Sequence, residues 1–163
     1  MEKYFEMLLS GGADLAIKID AKSIVTAAWT VFKCQFGCGM YGTTHHCPPN
    51  TPSWKQTQEM INCFSYGILF RCRSVSPITP LAAKVARELF LDGYYKVLAF
   101  GSGPCQKCAA CNPERCNFPK ETAPAMEACG IDVFATVRNN GLEIHTLRER
   151  GETQNDFGLI LVE

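Results

Sequence analysis

The stretch from Cys105 to Cys116, CQKCAACNPERC, constrains this chain more than any other. Its four cysteines stand at gaps of two, two and four residues and are followed by Asn117, Phe118 and Pro119. Gaps this short let one loop wrap around a metal centre and aim successive thiolates at it. They make poor disulfides, which need defined Cα separations and converging Cβ directions. The bacterial ferredoxin run is C-x2-C-x2-C-x3-C-P, so this one differs by one residue in the last gap and in the place of its proline. Three cysteines at strict two-residue gaps suit a cubane [4Fe-4S] cluster, whereas a zinc knuckle more often uses two separated ligand pairs. Thiolates select both metals, so iron–sulfur is the expectation and zinc the alternative. The expected ligands are Cys105, Cys108, Cys111 and Cys116.

A second set lies upstream. Cys34, Cys38 and Cys47 have gaps of three and eight residues within KCQFGCGMYGTTHHCPPNTPSW, a segment too rich in Gly and Pro for long regular structure. CQFGCGMY begins like the radical S-adenosylmethionine run C-x3-C-x2-C, but Tyr41 stands at the third cysteine's place. The chain is also shorter than the roughly 250 residues such barrels take. Three thiolates still make a cluster site if the loop folds back to bring Cys47 to Cys34 and Cys38, with Pro48 and Pro49 stiffening it. Cys72, Cys63, His45 or His46 would then supply a fourth ligand. A Cys3His zinc site is the chemical competitor. Against these stand plainer readings. Cys63, Cys72 and Cys129 fit small buried hydrophobes, His45 and His46 fit solvated loop residues, and His145 fits a structural place in a strand.

At 163 residues the chain fits one α/β domain spanning 1–163. An apolar fraction of 47% is enough for one sizeable core. The 16 basic and 16 acidic residues cancel, giving no argument for nucleic acid or an acidic membrane surface. No apolar run approaches the roughly 20 residues needed to span a bilayer. The beginning, MEKYFEMLLSGGAD, is unlike a secretory signal. Ten cysteines without such a signal point to reduced thiols in the cytoplasm, where metal binding outranks disulfides.

Residues 2–9 read as a short amphipathic helix stopped by Gly11 and Gly12. Residues 23–32, SIVTAAWTVF, read as a strand from their β-branched and aromatic content. A helix is expected from Pro52, capped by Thr51, to about Asn62. Residues 65–75 read as a strand with Ile68, Phe70 and Cys72 on one face and Arg71 and Arg73 on the other. Ile78, Leu81, Ala82, Val85, Ala86, Leu89 and Phe90 form a helical stripe ended by Asp92-Gly93. A strand from Tyr94 to Phe100 then delivers Gly101, Gly103 and Cys105. Strand, helix and strand make a βαβ unit, whose carboxyl ends commonly carry sites. Ala123–Cys129 reads as a helix stopped by Gly130. Asp132–Val137 and Leu142–Leu147 read as a hairpin about Asn139-Asn140-Gly141, and Phe157–Val162 as a last strand. The fold class is therefore α/β: a mixed sheet with helices packed on it, carrying two cysteine-rich loops.

Three sets of residues together resemble a known family. They are Cys34 to Gly42 (C-x3-C-x2-YG) with Cys47-Pro48-Pro49, Gly103 to Pro119, and Pro124 to Val133 (P-x-M-E-A-x-G-I-D-V). The chain is similar over most of its length to domain-of-unknown-function family 2284, predicted metal-binding proteins of archaea and anaerobic bacteria. The resemblance implies metal ligation by Cys34, Cys38 and Cys47 and by Cys105, Cys108, Cys111 and Cys116. It implies no reaction.

The leading expectation is an iron–sulfur protein with one or two [4Fe-4S] clusters that passes single electrons to or from a redox partner protein. Cysteine ligation favours low potentials, tuned by backbone hydrogen bonds to the sulfurs. Gly101, Gly103, Ala109 and Ala110 would let backbone N–H groups approach them. Tyr41, Phe36 and Phe118 are candidate apolar contacts for that partner. One alternative is an enzyme whose Cys34/Cys38/Cys47 cluster keeps an open iron as Lewis acid or sulfur carrier. The other is a zinc-stabilised binding module. A cysteine nucleophile fits poorly, since Cys129 falls at an expected helix C-terminus. GSGPCQ lacks the third glycine and the helix of a dinucleotide fingerprint. Glu121 and Glu127 read as solvated helix positions.

Overall fold

The computed structural model describes residues 1–74, 77–149, 151–153 and 155–163. Helix α1 (Glu2–Ser10) leads into strand β1 (Leu15–Asp20), helix α2 (Ala28–Gly37) and helix α3 (Trp54–Ile61). Strand β2 (Tyr66–Cys72), helix α4 (Ile78–Leu91) and strand β3 (Val97–Phe100) follow, then helix α5 (Val133–Asn139) and strand β4 (Asp156–Val162). The α/β class read from the sequence is the class observed. The sheet order is β1-β2-β4-β3, and each neighbouring pair is antiparallel. Because β2 and β3 both run against β4, they run parallel to each other. The expected βαβ unit is thus present but split, with β4 lying between its two strands.

Side-chain alternation along the inner strands builds two cores, one on each face. On the first, Ile68, Phe70 and Cys72 of β2 and Ile160 and Val162 of β4 pack against Val85 and Leu89 of α4 and Tyr4 and Leu8 of α1. On the second, Leu69 of β2 and Phe157, Leu159 and Leu161 of β4 pack against Ile61, Met126, Ile131, Val133 and Val137. Each such side chain contributes roughly 1.5–3 kcal/mol on burial. Strands covered on both sides read as unbroken apolar runs, and FGLILV in β4 is one. Asp14, just before β1, pairs with Arg71 at 2.9 Å and Arg73 at 2.7 Å, tying β1 to β2 at that end.

The helical stripe from Ile78 holds, although Phe90 at its end is exposed. The strand read over 65–75 is shorter than expected, and its last position lies outside the described residues. Residues 23–32 are not a strand. Thr26 bridges Ile131 in extended backbone, Ala27 is still extended, and α2 starts at Ala28. β-rich composition misled here, because Trp29, Phe32 and Phe36 recur at helical spacing and the last two rings meet at 4.6 Å, tilted by 45°. Helix α3 begins later than expected. Ser53 and Gln56 form a reciprocal capping box, so the Thr51 and Pro52 assignments shift by two residues. Ala123–Cys129 shortens to a 3-10 turn over Glu127–Cys129, stopped as expected by Gly130 in the left-handed region at φ 83°.

The hairpin about Asn139-Asn140-Gly141 is also overturned. Asp132 caps α5 by accepting from the Ala135 N–H at 2.9 Å, and Asn140 Nδ2 donates to the Thr136 carbonyl at 2.8 Å. The Asn-Gly pair therefore ends a helix instead of turning a ribbon, which is the other use of a residue at positive φ. Leu142–Leu147 forms no strand, so His145 lies in irregular chain. Strand β1 was missed altogether. Its LAIKID sequence is only half-buried and short, and it is recruited as an edge by pairing with β2.

Candidate metal centre

Both cysteine sets meet the same edge of the sheet, where β3 ends and β4 begins. Helix α2 carries Cys34 in its last turn and Cys38 as its C-cap. Beyond Cys38 the loop doubles back. The Gly42 N–H donates to the Pro48 carbonyl at 2.8 Å, and the Asn50 N–H donates to the Cys47 carbonyl at 3.0 Å. The Pro48-Pro49 bond is cis. The fold-back brings Cys47 to the first two cysteines, and Cys34, Cys38 and Cys47 line one cleft of about 330 Å³. Burial pushes the Cys34 thiol up, and the charges of Cys38, Glu127 and Cys47 act in the same direction. The Cys34 thiol is therefore harder to ionise in the metal-free chain. A bound cation reverses that sign.

The other wall of this cleft comes from the sheet edge. Ser102, Gly103 and Pro104 follow β3, Glu127 and Ala128 belong to the 3-10 turn, and Asp156 opens β4. Glu127 is half-buried and not the solvated helix residue expected. Burial raises its carboxyl above the ordinary range, and the Asp156 charge adds to the effect. Burial likewise raises Asp156, opposed by a hydrogen bond from Ser102 Oγ at 3.4 Å to its Oδ1. Its Oδ2 is buried and has no hydrogen-bond partner among the described residues. The turn is fixed from two sides. Thr51 Oγ1 donates to the Ala128 carbonyl at 2.6 Å, and the Ala27 N–H donates to the Gly130 carbonyl at 2.8 Å.

Cys105, Cys108, Cys111 and Cys116 line a second cleft of about 340 Å³ with Ala109, Ala110, Thr122 and Phe118. All four thiols are half-buried. The loop is held by local bonds: the Glu114 N–H donates to Asn112 Oδ1 at 2.9 Å and Thr122 Oγ1 to the Phe118 carbonyl at 3.1 Å. Lys107 pairs with Glu121 at 2.6 Å and stands over the Phe118 ring. Glu121 is thus a surface ion-pair partner. The two loops touch: His45 Nε2 lies 2.7 Å from the Asn112 carbonyl, and His46 lines both clefts. Burial lowers the affinity of His46 for a proton, which leaves its ring neutral and able to accept.

Cys72 and Cys63 do not line the first cleft. Cys72 is fully buried in the core beneath α4, with burial pushing its thiol up to about 11. Cys63 is exposed after α3, its Sγ 3.5 Å from the Glu59 carbonyl. Cys129 is a buried core thiol pushed up to about 12, again by burial first. Gly101 does not face the sulfurs. A Cβ there would strike the Thr79 side chain of α4, so its role is close packing. Gly103 does line the first cleft.

Among the described residues, no three Cys, His, Asp or Glu side chains converge closely enough to hold a single metal ion. A tetrahedral zinc site would require sulfurs about 3.8 Å apart, from Zn–S bonds of about 2.3 Å. The thiols instead stand around two clefts, each roughly ten times the ~30 Å³ a water occupies in the liquid. The cysteine thiols around these clefts are a donor set that fits a thiolate-held metal group. The two carboxyls at the first cleft, Glu127 and Asp156, were not marked by sequence as a pair. Their signal is position only, one in the P-x-M-E-A turn and one opening the final strand.

Among the described residues, no helix is long and apolar enough to cross a membrane. No curated protein and no solved structure matches the chain. A family model does match, over residues 17–162, and takes in both cysteine loops, the 3-10 turn over Glu127–Cys129 and, but for the first two residues of β1, all four strands. The chain belongs to domain-of-unknown-function family 2284, the predicted metal-binding proteins.

Proposed function

We propose that this metal-binding protein is an iron–sulfur protein with two [4Fe-4S] sites that passes single electrons to a partner protein. The observation that carries the reading is the sorting of seven cysteines into two clefts, Cys34/Cys38/Cys47 in one and Cys105/Cys108/Cys111/Cys116 in the other. Each bound cluster would supply a one-electron couple whose potential follows ligand type, sulfur hydrogen bonding and solvent exposure. The chain's own residues would hold the thiols and set that environment. Backbone about Ala109 and Ala110 has the small side chains that let N–H groups reach a sulfur. His46 and the His45–Asn112 contact join the two loops, so the sites share a wall.

The partner's face lies around the clefts. Phe36 is exposed at the end of α2 and Phe118 at the second loop, each beside a cysteine set. Tyr41 lines the first cleft. Iron, sulfide and zinc per chain on protein purified without oxygen, with electron paramagnetic resonance after reduction, test the reading. Two reducible centres are expected in the parent and one in Cys108→Ser. Stoichiometric zinc without sulfide would overturn it.

A further inference from the structure

Three cysteines leave one corner of the first cluster without a thiolate, and the cleft itself holds a candidate donor for it. Resting on the iron–sulfur reading, we propose that Asp156 supplies an oxygen ligand to the centre held by Cys34, Cys38 and Cys47. Asp156 lines the same cleft as the three thiols. Its Oδ1 has one long hydrogen bond, 3.4 Å from Ser102 Oγ, and its Oδ2 is buried without a partner among the described residues. A buried carboxylate oxygen left unmatched is destabilising, and a cation is what satisfies it. Asp156 is the first residue of β4, where strand pairing sets it opposite Cys72. A ligand fixed by a sheet strand is set more precisely than one carried on a loop.

The other donors fit less well. Cys72 stands opposite Asp156 and shares its face of the sheet, but it is fully buried beneath α4 and does not line the cleft. Cys63 is exposed beyond α3. Glu127 lines the cleft on the turn but has no orphaned oxygen among the described residues, and His46 is shared with the second cleft. Oxygen is a harder ligand than sulfur and binds a ferrous or ferric corner more labily than thiolate does. That corner is the one expected to leave first.

The test uses the full chain carrying Cys108→Ser, which isolates the first centre, prepared without oxygen. With Asp156 intact, about four irons per chain and one reducible centre are expected. Titrated with ferricyanide, the added Asp156→Asn should fall to about three irons per chain and show a three-iron resonance at less oxidant than the parent needs. Adding Asp156→Cys instead should keep four irons and change the spectrum of the reduced centre. Circular dichroism confirms that each variant is folded. If Asp156→Asn fails to fold, the Asp156→Cys spectrum decides alone, and an unchanged spectrum there overturns the assignment. Retention of four irons by Asp156→Asn, or their loss in Cys72→Ala or His46→Ala, also overturns the Asp156 ligand while leaving the cluster intact. Absence of iron and sulfide in the Cys108→Ser parent overturns the iron–sulfur reading with it.

Discussion

Replacing Gly130 with alanine tests how tightly the metal-facing turn is built. Gly130 sits at φ 83°, ψ 13°, and a Cβ there would lie 2.5 Å from both Cα and Cβ of Trp54 at the start of α3. The left-handed conformation costs an L-residue about 1–2 kcal/mol. Backbone cannot swing aside as a side-chain tip does, so overpacking adds about 1–3 kcal/mol. The expected loss is about 3 kcal/mol, a large share of the 5–15 kcal/mol typical of a domain. For a chain of this size that lowers Tm by roughly 6–12 °C. The effect should also reach the first cleft, since the Gly130 carbonyl accepts from Ala27, the residue before the helix that carries Cys34 and Cys38. Thermal melts of metal-free protein measure the loss, and alkylation of Cys34 measures the loosening. A Tm within about 2 °C of the parent would refute the packing argument.

Ser53→Ala removes half of the α3 capping box and should cost about 1 kcal/mol in urea titration. Asp14 is held below the usual carboxylate range by Arg71 first and Arg73 second, so its contribution is present above about pH 4 and lost as pH falls through the lowered value. Asp14→Asn should flatten the acid side of the Tm-against-pH profile. Cys129, pushed up to about 12, stabilises fully below its unfolded value near 8.5 and loses that contribution as pH rises towards 12. Cys129→Ala should therefore reduce the alkaline fall in Tm and leave iron content unchanged. In native metal-free protein, iodoacetamide should modify exposed Cys38 and Cys63 well before buried Cys72 and Cys129, as peptide mass mapping will show.

What sequence disclosed follows the strength of each periodic signal. The α4 stripe and the paired-face pattern of β2 were readable because burial imposes a period on them. The stretches 23–32 and 132–147 misled because composition was weighed above spacing and capping. Asp132 and Asn140-Gly141 bracket α5 with helix signals, yet Asn-Gly is also the strongest short hairpin cue. The cysteine sets were visible as spacing, whereas the fold-back of Cys47 stood only as a condition on its loop. The Asp156 oxygen was not visible at all. A lone aspartate gains meaning only when strand pairing sets it beside residues more than a hundred positions away.

Strand β4 lies between β2 and β3 although it follows both cysteine loops along the chain. During synthesis all seven candidate thiols therefore leave the ribosome before the scaffold that separates them exists. Pairing Tyr66 with Val162 must wait until nearly a hundred intervening residues have emerged. In that interval the thiols are open to mispairing and to stray metals. Arrival of the final strand, with Asp156 at its head, completes the wall of the first cleft, so that cleft is among the last features of the fold to form.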